Sequence, residues 1–343
     1  MNPINLITQR KKRINQDILD WHLLGSNNSS SVGRICNIIR TSDFENTDDM
    51  LVSMYSIYDG YYNGSIYIIA GRVVSGSNIV LISSNGVAWR PATTTPAMEW
   101  LFKIGWNGTY WLVAGIISTG VYGISYSMDG DTWSTPTVIS GYPVQLTNNS
   151  THWYMSISQL TTEDIAKIPF DTSDWANISY INAGLDTNVG PLAMSNSHAI
   201  IGSSSIFDGK PALIYSTNLT TWNTATYPAQ YLAVDSMCRH GSLWFATVHT
   251  DNPVAYALLK STDGINFTEV TVDAGNTLRV MLIHSDGSTL VIRTAIILAK
   301  YIVYTSINAG VTWIKHDFEY RPTYASIYGC MSRKNLDDIP PII

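Results

Sequence analysis

Short apolar runs separated by turn residues follow one another along most of the chain. Residues 99–140 contain four of them in succession, EWLFKIG, TYWLVAG, VYGISYS and TWSTPTV. Asn, Gly, Asp and Ser bound these runs, and such residues favour tight turns, so the pattern predicts β-strands. The longest apolar stretch, residues 289–304, is interrupted by Arg293 and Lys300, which favours two strands over a membrane span.

Two motifs recur with one period. The first is a turn that leads into an apolar run, seen as NGSIYIIAG at 63–71 and NGTYWLVAG at 107–115, with weaker copies further along. The second motif combines a Ser, an Asp or Asn, a Gly and an aromatic residue, although some copies lack the Gly. Its copies contain Asn85, Gly86, Trp89; Asp129, Gly130, Trp133; Asp171, Trp175; Asn218, Trp222; Asp263, Gly264, Phe267; and Asn308, Gly310, Trp313. The aromatic positions are 42 to 47 residues apart, which indicates a repeat architecture.

The second motif resembles the Asp-box (BNR) repeat of sialidase-like β-propellers, whose form is roughly Ser-x-Asp-x-Gly-x-Thr-Trp. Residues 125–133 match it with one residue fewer before the Gly, and the copy at Asn308 has the family spacing with Asn in place of Asp. The resemblance implies an all-β propeller of four-stranded antiparallel blades, in which each box joins the two outer strands. In that family the box is a folding element, so we predict structural turns at these positions.

The number of blades follows from the innermost strands, which we predict at 51–57, 99–105, 142–147, 190–194, 231–237, 277–283 and 324–330. This spacing predicts seven blades, with six as the alternative because residues 20–44 are the weakest copy. Residues 20–44 align with 66–89, so the N-terminal part would supply three strands to the blade whose innermost strand is 324–330. Such pairing leaves no open edge in the ring. The predicted domains are a basic extension (1–19), the propeller (20–334) and a C-terminal tail (335–343).

The composition bears on the class of protein. Of 343 residues only 13% are charged, the net charge is −6, and no secretory leader is recognisable at the start. An aromatic-rich, uncharged polar surface is typical of extracellular and viral adhesion proteins. The three cysteines, Cys36, Cys238 and Cys330, have no metal-ligand spacing and are interpreted as buried thiols. We expect no metal and no cofactor.

The catalytic pattern of sialidases is not recognisable in the sequence. Only five Glu occur, there is no Arg-Ile-Pro motif, and WRP at 89–91 and YRP at 320–322 lie in the wrong contexts. A glycosidase with two loop carboxylates stays open, and its candidates are Asp48, Asp49, Glu99, Glu163, Asp164, Asp186, Asp251 and Asp273. His152, His198, His240 and His284 are explained by repeat symmetry, and Lys103, Asp235 and Arg279 are expected to line the central channel as weak pointers to a site.

The function hypothesis is a non-enzymatic structural or adhesion component of a larger assembly, with a virion or bacteriophage particle as first choice. In this hypothesis Arg10, Lys11, Lys12 and Arg13 anchor residues 1–19 to other subunits. The irregular loops opposite the Asp-boxes would then bind a host-surface glycan or protein. Nucleic-acid binding is not expected, because four basic residues in an acidic protein are weak evidence for it. The alternatives are a glycan-processing hydrolase that uses loop carboxylates and an intracellular assembly scaffold.

Overall fold

The computed structural model describes residues 21–26, 36–41, 47–52, 56–72, 78–158, 163–185, 189–204, 211–251, 254–273, 280–285, 287–294, 300–319 and 326–332. The predicted basic extension with Arg10–Arg13 and the tail 335–343 lie outside these residues. Among the described residues no helix is long and apolar enough to cross a membrane.

Six blades are built from consecutive strands. The first has β4 (Ser56–Tyr62), β5 (Tyr67–Arg72), β6 (Asn78–Ser83) and β7 (Arg90–Pro91). The second has β8 (Trp100–Trp106), β9 (Trp111–Ser118), β10 (Val121–Ser127) and β11 (Thr137–Ile139). The third has β12 (Tyr142–Asn148), β13 (His152–Ser158), β14 (Ile165–Pro169) and β15 (Ser179–Ile181), with a 3-10 helix at Thr172–Asn177.

The remaining three of these blades continue the pattern. The fourth has β16 (Val189–Met194), β17 (Ala199–Ser203), β18 (Leu213–Ser216) and β19 (Asn223–Thr224). The fifth has β20 (Ala233–His240), β21 (Leu243–His249), β22 (Tyr256–Ser261) and β23 (Thr268–Val270). The sixth has β24 (Val280–Ser285), β25 (Leu290–Thr294), β26 (Lys300–Ser306) and β27 (Ile314–Glu319).

A further four-stranded sheet combines the two ends of the described chain. It consists of β1 (Trp21–Ser26), β2 (Cys36–Thr41) and β3 (Thr47–Val52) with β28 (Ser326–Ser332), in the order β28-β1-β2-β3. Strand β28 runs antiparallel to β1, with Leu23 opposite Cys330. We call it the composite sheet. The described residues therefore form an all-β propeller with four-stranded antiparallel blades, and this part of the prediction is confirmed.

One predicted innermost strand is wrong in its boundaries. Residues 51–57 were expected to form a single strand, but residues 51 and 52 end β3 and residues 56 and 57 begin β4. The apolar run LVSMYSI therefore spans the connection between two sheets. Apolar character alone does not mark where one strand ends and the next begins.

The core lies between the blades. One cluster joins Ile68 and Ile82 of the first blade to Leu101, Trp111 and Val113 of the second, and all five are buried. Similar clusters join each following pair up to the sixth blade. The second strand of each blade is covered on both faces, which is why these strands appear in the sequence as continuous apolar runs.

The strand order gives the ring two different faces. Each inner strand leads through a short turn into the second strand, and the Asp-box-like turns join the third strand to the outer one at the same face; we call this the turn face. The opposite face carries the connections between the second and third strands and between successive blades, and we call it the loop face. Inner strands therefore begin at the loop face and end at the turn face.

The Asp-box-like turns share one hydrogen-bond pattern. In the second blade the Ser127 hydroxyl donates to Asp129 Oδ1 at 2.9 Å and accepts from the Gly130 amide at 2.7 Å. Asp129 Oδ1 also accepts from the amides of Asp131 and Thr132, both at 2.8 Å. The same Ser-to-Asp or Ser-to-Asn bond recurs at Asn85, Asn218, Asp263 and Asn308. In the third blade Asp171 instead caps the 3-10 helix by accepting from Ser173.

Candidate active site

Every inner strand contains a β-bulge near its loop-face end. The register against the second strand shifts in β4, β8, β12, β16, β20 and β24, and the β1–β28 pair shifts at the matching place. The extra residues are Tyr58, Phe102, Val144, the pair Gly190–Pro191, Asp235, Met281 and Tyr328. Bulges re-aim side chains and are over-represented next to active sites. Asp235 is the acidic residue among these positions. The sequence analysis expected it to line the central channel, but it is not among the described residues that line the channel cavity, although it directly precedes Ser236, which does.

Asp235 is paired with a histidine of the neighbouring strand. His249, the last residue of β21, has its Nδ1 3.0 Å from Asp235 Oδ2, and the two side chains keep 22% and 25% of their exposure. The bulge makes this contact because it inserts Asp235 between Val234 and Ser236, which pair with Val248 and Thr247. The pair is thus held by two adjacent strands and still reaches solvent.

The surroundings of the pair set its protonation. Burial raises the pKa of Asp235 above its ordinary range, and the contact with His249 opposes this shift without cancelling it. The ring of Tyr256 lies 5.4 Å from the His249 ring and limits its rotation. When Asp235 is ionised it can only accept, so a neutral His249 ring bonded to it carries its proton on Nδ1 and has a lone pair on Nε2. Nε2 has no hydrogen-bond partner among the described residues.

The channel continues to the turn face as a cavity of about 600 Å³. Lys103 lines it, as predicted, together with Asp59 at the equivalent position of the first blade. Asp59 accepts hydrogen bonds from the amides of Gly60 and, across the blade boundary, Ile104. Burial raises the pKa of Asp59 overall, because the opposing effects of the Lys103 charge and of these two amides are smaller. Ser236 bonds in the same way to the amide of Ile283, so these polar groups serve the packing between blades.

The described loop carboxylates have separate local surroundings. Asp164 is fully buried and accepts from the amides of Ala183 and Leu185. Asp273 accepts from the Tyr304 hydroxyl at 2.7 Å. Glu99 and Asp251 are exposed and Glu163 is half-buried, each in a different blade or connection. Asp186 and Arg279 lie outside the described residues, and so do the side chains of Asp48 and Asp49 in β3.

The four repeat histidines follow separate local roles. His152 and His198 contact the hydroxyls of Thr151 and Ser197 in their own turns. His240 bonds to the Ser285 hydroxyl of the next blade, and His284 lines the channel cavity. In the described part of the chain no three His, Cys, Asp or Glu side chains are grouped to hold a metal ion.

His249 is the residue of the candidate site that the sequence analysis did not identify. The sequence signal was Asp235, which YLAVDSM places opposite Lys103 of EWLFKIG as a polar residue in an apolar run. The structure instead places Asp235 at the bulge position that Phe102 occupies in the second blade. Its partner could then be sought at the end of the following strand, but the bulge that brings the two together cannot be inferred from spacing.

Comparisons with known proteins identify the fold. No protein-family model and no curated protein matches the sequence. Among solved structures, one described as a "putative 6-phosphogluconolactonase" from Bacteroides uniformis is 12% identical, with a TM-score of 0.61 over 90% of this chain and 99% of that one. The β-propeller domain of the Trilobed protease from Pyrococcus furiosus is 7% identical, with a TM-score of 0.59 over 88% and 94%. The GH74 xyloglucanase from Xanthomonas campestris is 12% identical, with a TM-score of 0.55 over 93% and 56%.

The prediction that this chain is not an enzyme is corrected by these comparisons, since the similar structures include proteins named as enzymes. That prediction rested on the absence of the sialidase residues. The absence of one catalytic set excludes one chemistry only, because a propeller presents different residues at its mouth while the blades stay the same. At these low identities the similarity establishes the fold, which is a β-propeller.

Proposed function

We propose that the protein is a hydrolase whose reacting groups are Asp235 and His249 at the loop-face mouth of the channel. The observation that carries this proposal is the 3.0 Å contact between His249 Nδ1 and Asp235 Oδ2 in a partly exposed pair. A histidine oriented by a carboxylate is a common general base, and the contact fixes the tautomer that a base needs.

The reaction that fits this pair is hydrolysis of an ester or lactone. His249 Nε2 accepts a proton from water as the water oxygen bonds to the carbonyl carbon, and ionised Asp235 stabilises the imidazolium that forms. When the tetrahedral intermediate collapses, the bond to the leaving oxygen breaks and the imidazolium returns the proton to that oxygen. Products are an acid and an alcohol, and the pair is regenerated.

Cleavage of a glycosidic bond would need a second carboxylate, roughly 5–9.5 Å from the first. Among the described side chains, His249 is the one that acts on the pKa of Asp235, and burial is the larger effect. The names of the similar structures, a lactonase and a xyloglucanase, support a hydrolase in general. The single acid–histidine pair favours the ester or lactone reaction over the two-carboxylate alternative.

We further propose that the composite sheet closes the ring as its seventh blade, so that seven inner strands surround the mouth. The strand order β28-β1-β2-β3 and the bulge at Tyr328 support this, because both repeat the pattern of the six consecutive blades. A place in a virus particle, and anchoring through residues 1–19, stay predictions. They are compatible with a hydrolase, since a particle can carry an enzyme.

The test is turnover by the full chain with probes for each bond type. Glucono-δ-lactone and p-nitrophenyl acetate report lactone and ester hydrolysis, and reducing-sugar release from a neutral polysaccharide reports glycosidase activity. We expect hydrolysis of at least one carbonyl probe, and a loss of about 100-fold or more in kcat/KM for His249→Gln and Asp235→Asn. The matched control is Asp251→Asn, an exposed acid on the same connection. Equal rates in all four proteins, or no turnover by the wild type, would contradict the proposal.

A further inference from the structure

Five aromatic side chains form a connected cluster at the loop face, on the first three blades. Tyr58 contacts Trp100 and Phe102 with ring centroids 5.9 and 5.4 Å apart. Phe102 contacts Tyr142 at 4.9 Å, and Tyr142 contacts Tyr122 at 5.8 Å. We call these five residues the aromatic platform. It begins at the same ring of bulges as Asp235, because Tyr58 and Phe102 are the bulge residues of β4 and β8.

The platform is partly open to solvent, although aromatic rings are usually buried. Tyr142 is 38% exposed, and Tyr58, Trp100 and Tyr122 are half-buried. The guanidinium of Arg72 lies 4.3 Å from the centroid of the Trp100 ring and holds that ring in place. A rigid apolar surface of this kind, kept in contact with water, is typical of a binding site.

The platform also carries polar groups at its rim. The hydroxyls of Tyr122 and Tyr142 have no hydrogen-bond partner among the described residues. Burial raises the pKa of Tyr142, and the neighbouring phenols of Tyr58 and Tyr122 raise it further. None of the five platform residues is charged, so the surface offers π-faces and hydroxyls.

We infer that the aromatic platform binds the pyranose rings of a carbohydrate, and that the substrate of the proposed hydrolase is therefore a sugar derivative. One face of a pyranose presents C–H groups, which suit the negative face of an aromatic ring, and its hydroxyls extend sideways to polar groups. The platform matches both features. This inference rests on the proposed function only in assigning the bound sugar as substrate, since binding to the platform can be measured without turnover.

A charged or extended peptide would find fewer partners on this surface. Recognition of an acidic peptide needs a cluster of cations, and Arg72 is committed to the face of Trp100. A second protein would need a contact of about 800 Å² on this side, far more than five partly buried rings expose. A sugar of two to three rings matches a row of aromatic residues across three blades.

The test measures binding to hydroxyethyl cellulose, starch, galactomannan and laminarin by affinity gel electrophoresis, followed by titration calorimetry with an oligosaccharide of whichever binds. Tyr142→Ala and Trp100→Ala are expected to weaken binding about tenfold. Tyr142→Phe, which keeps the ring and removes the hydroxyl, should lose about threefold. Trp106→Ala is the matched control, because Trp106 lies at the turn-face end of the same strand and its ring contacts that of Trp111. Melting curves verify that each variant is folded.

The outcomes separate the two proposals. Binding that is lost in Tyr142→Ala and kept in Trp106→Ala and His249→Gln supports the platform, whether or not the wild type shows turnover. If the wild type binds none of the four polysaccharides, or if Tyr142→Ala and Trp100→Ala bind as the wild type does, the platform is not a sugar site. Failure of the hydrolase proposal would appear only in the turnover assays.

Discussion

Arg90 donates two hydrogen bonds to the carboxylate of Asp131, both 2.8 Å long, and so joins strand β7 to the Asp-box-like turn of the next blade. The amide of Thr93 donates to the same carboxylate at 2.6 Å. Nearby, the amide of Trp133 donates to the Thr94 hydroxyl at 2.8 Å. This turn therefore has two structural roles, since it closes its own hairpin and connects two blades.

The carboxylates of this turn predict an acid-sensitive stability. Hydrogen bonds from Arg90 and from the Thr93 amide lower the pKa of Asp131. Burial raises the pKa of Asp129, but the amides of Thr132 and Asp131 and two hydroxyls outweigh it and lower that pKa to about 2. A carboxyl whose folded pKa is depressed stabilises the fold above its unfolded pKa of about 3.9, and this contribution is lost as the pH falls towards the folded value. The melting temperature should therefore fall between about pH 4 and pH 2.

The control for this prediction is Asp131→Asn, which removes one of the two titrating groups and the ion pair. Its melting temperature should be slightly lower at neutral pH, because exposed ion pairs contribute little, and it should depend less steeply on pH below 4. A variant with the same acid dependence as the wild type would show that Asp131 does not contribute to it.

Gly115 of strand β9 tests how closely the second strand of a blade approaches the inner strand, here β8. A Cβ added to Gly115 would lie 1.8 Å from the carbonyl oxygen of Trp100, which is backbone and cannot move aside. Gly115→Ala should therefore destabilise the protein by about 3 kcal/mol or more. The matched control is Gly120→Ala, where φ is +77° but no atom lies within 4 Å, so only the backbone strain of about 1–2 kcal/mol applies. Chemical denaturation of both variants gives the comparison, and equal losses would contradict the close approach.

The composite sheet predicts a sharp boundary for N-terminal deletions. Strand β1 lies between β28 and β2, so removing residues 1–35 deletes the strand that connects the two ends of the described chain. We expect this deletion to abolish cooperative thermal unfolding, whereas deletion of residues 1–16 should leave it unchanged. Calorimetry distinguishes the two. Cooperative melting of the longer deletion would contradict ring closure by this sheet.

The regular part of the fold could be predicted because each blade buries an equivalent strand and most blades contain an equivalent tight turn. Trp111 is the first and Trp153 the second residue of strands that are buried between neighbouring blades, so their apolar runs appear at the same place in each unit. Gly130 and Gly264 have φ values of +75° and +73°, and a turn that needs such angles selects Gly each time. Repetition of this kind is visible in one sequence.

The candidate site could not be predicted in the same way, because it depends on departures from the repeat. Asp235 occupies a bulge position where the second blade has Phe102, and its partner His249 lies fourteen residues later at a strand end. Tyr142 and Tyr122 lie near the beginnings of strands of two blades and meet only when those blades pack. These contacts depend on the bulge and on the packing of the blades. Neither feature produces a recognisable spacing of residues in the sequence.

The most direct test of the central claim is the pH dependence of kcat/KM for the carbonyl probe that the wild type hydrolyses best. The rate should fall on the acid side when either member of the pair is protonated, because protonated His249 cannot act as a base and protonated Asp235 cannot accept from its Nδ1. Burial raises the pKa of Asp235, so protonation of this carboxyl contributes to the acid limb above the ordinary aspartate range. Asp235→Asn should therefore change the acid limb and lose about 100-fold or more at the optimum. An unchanged optimum rate and an unchanged acid limb in Asp235→Asn would contradict the assignment of Asp235 and His249 as the reacting pair.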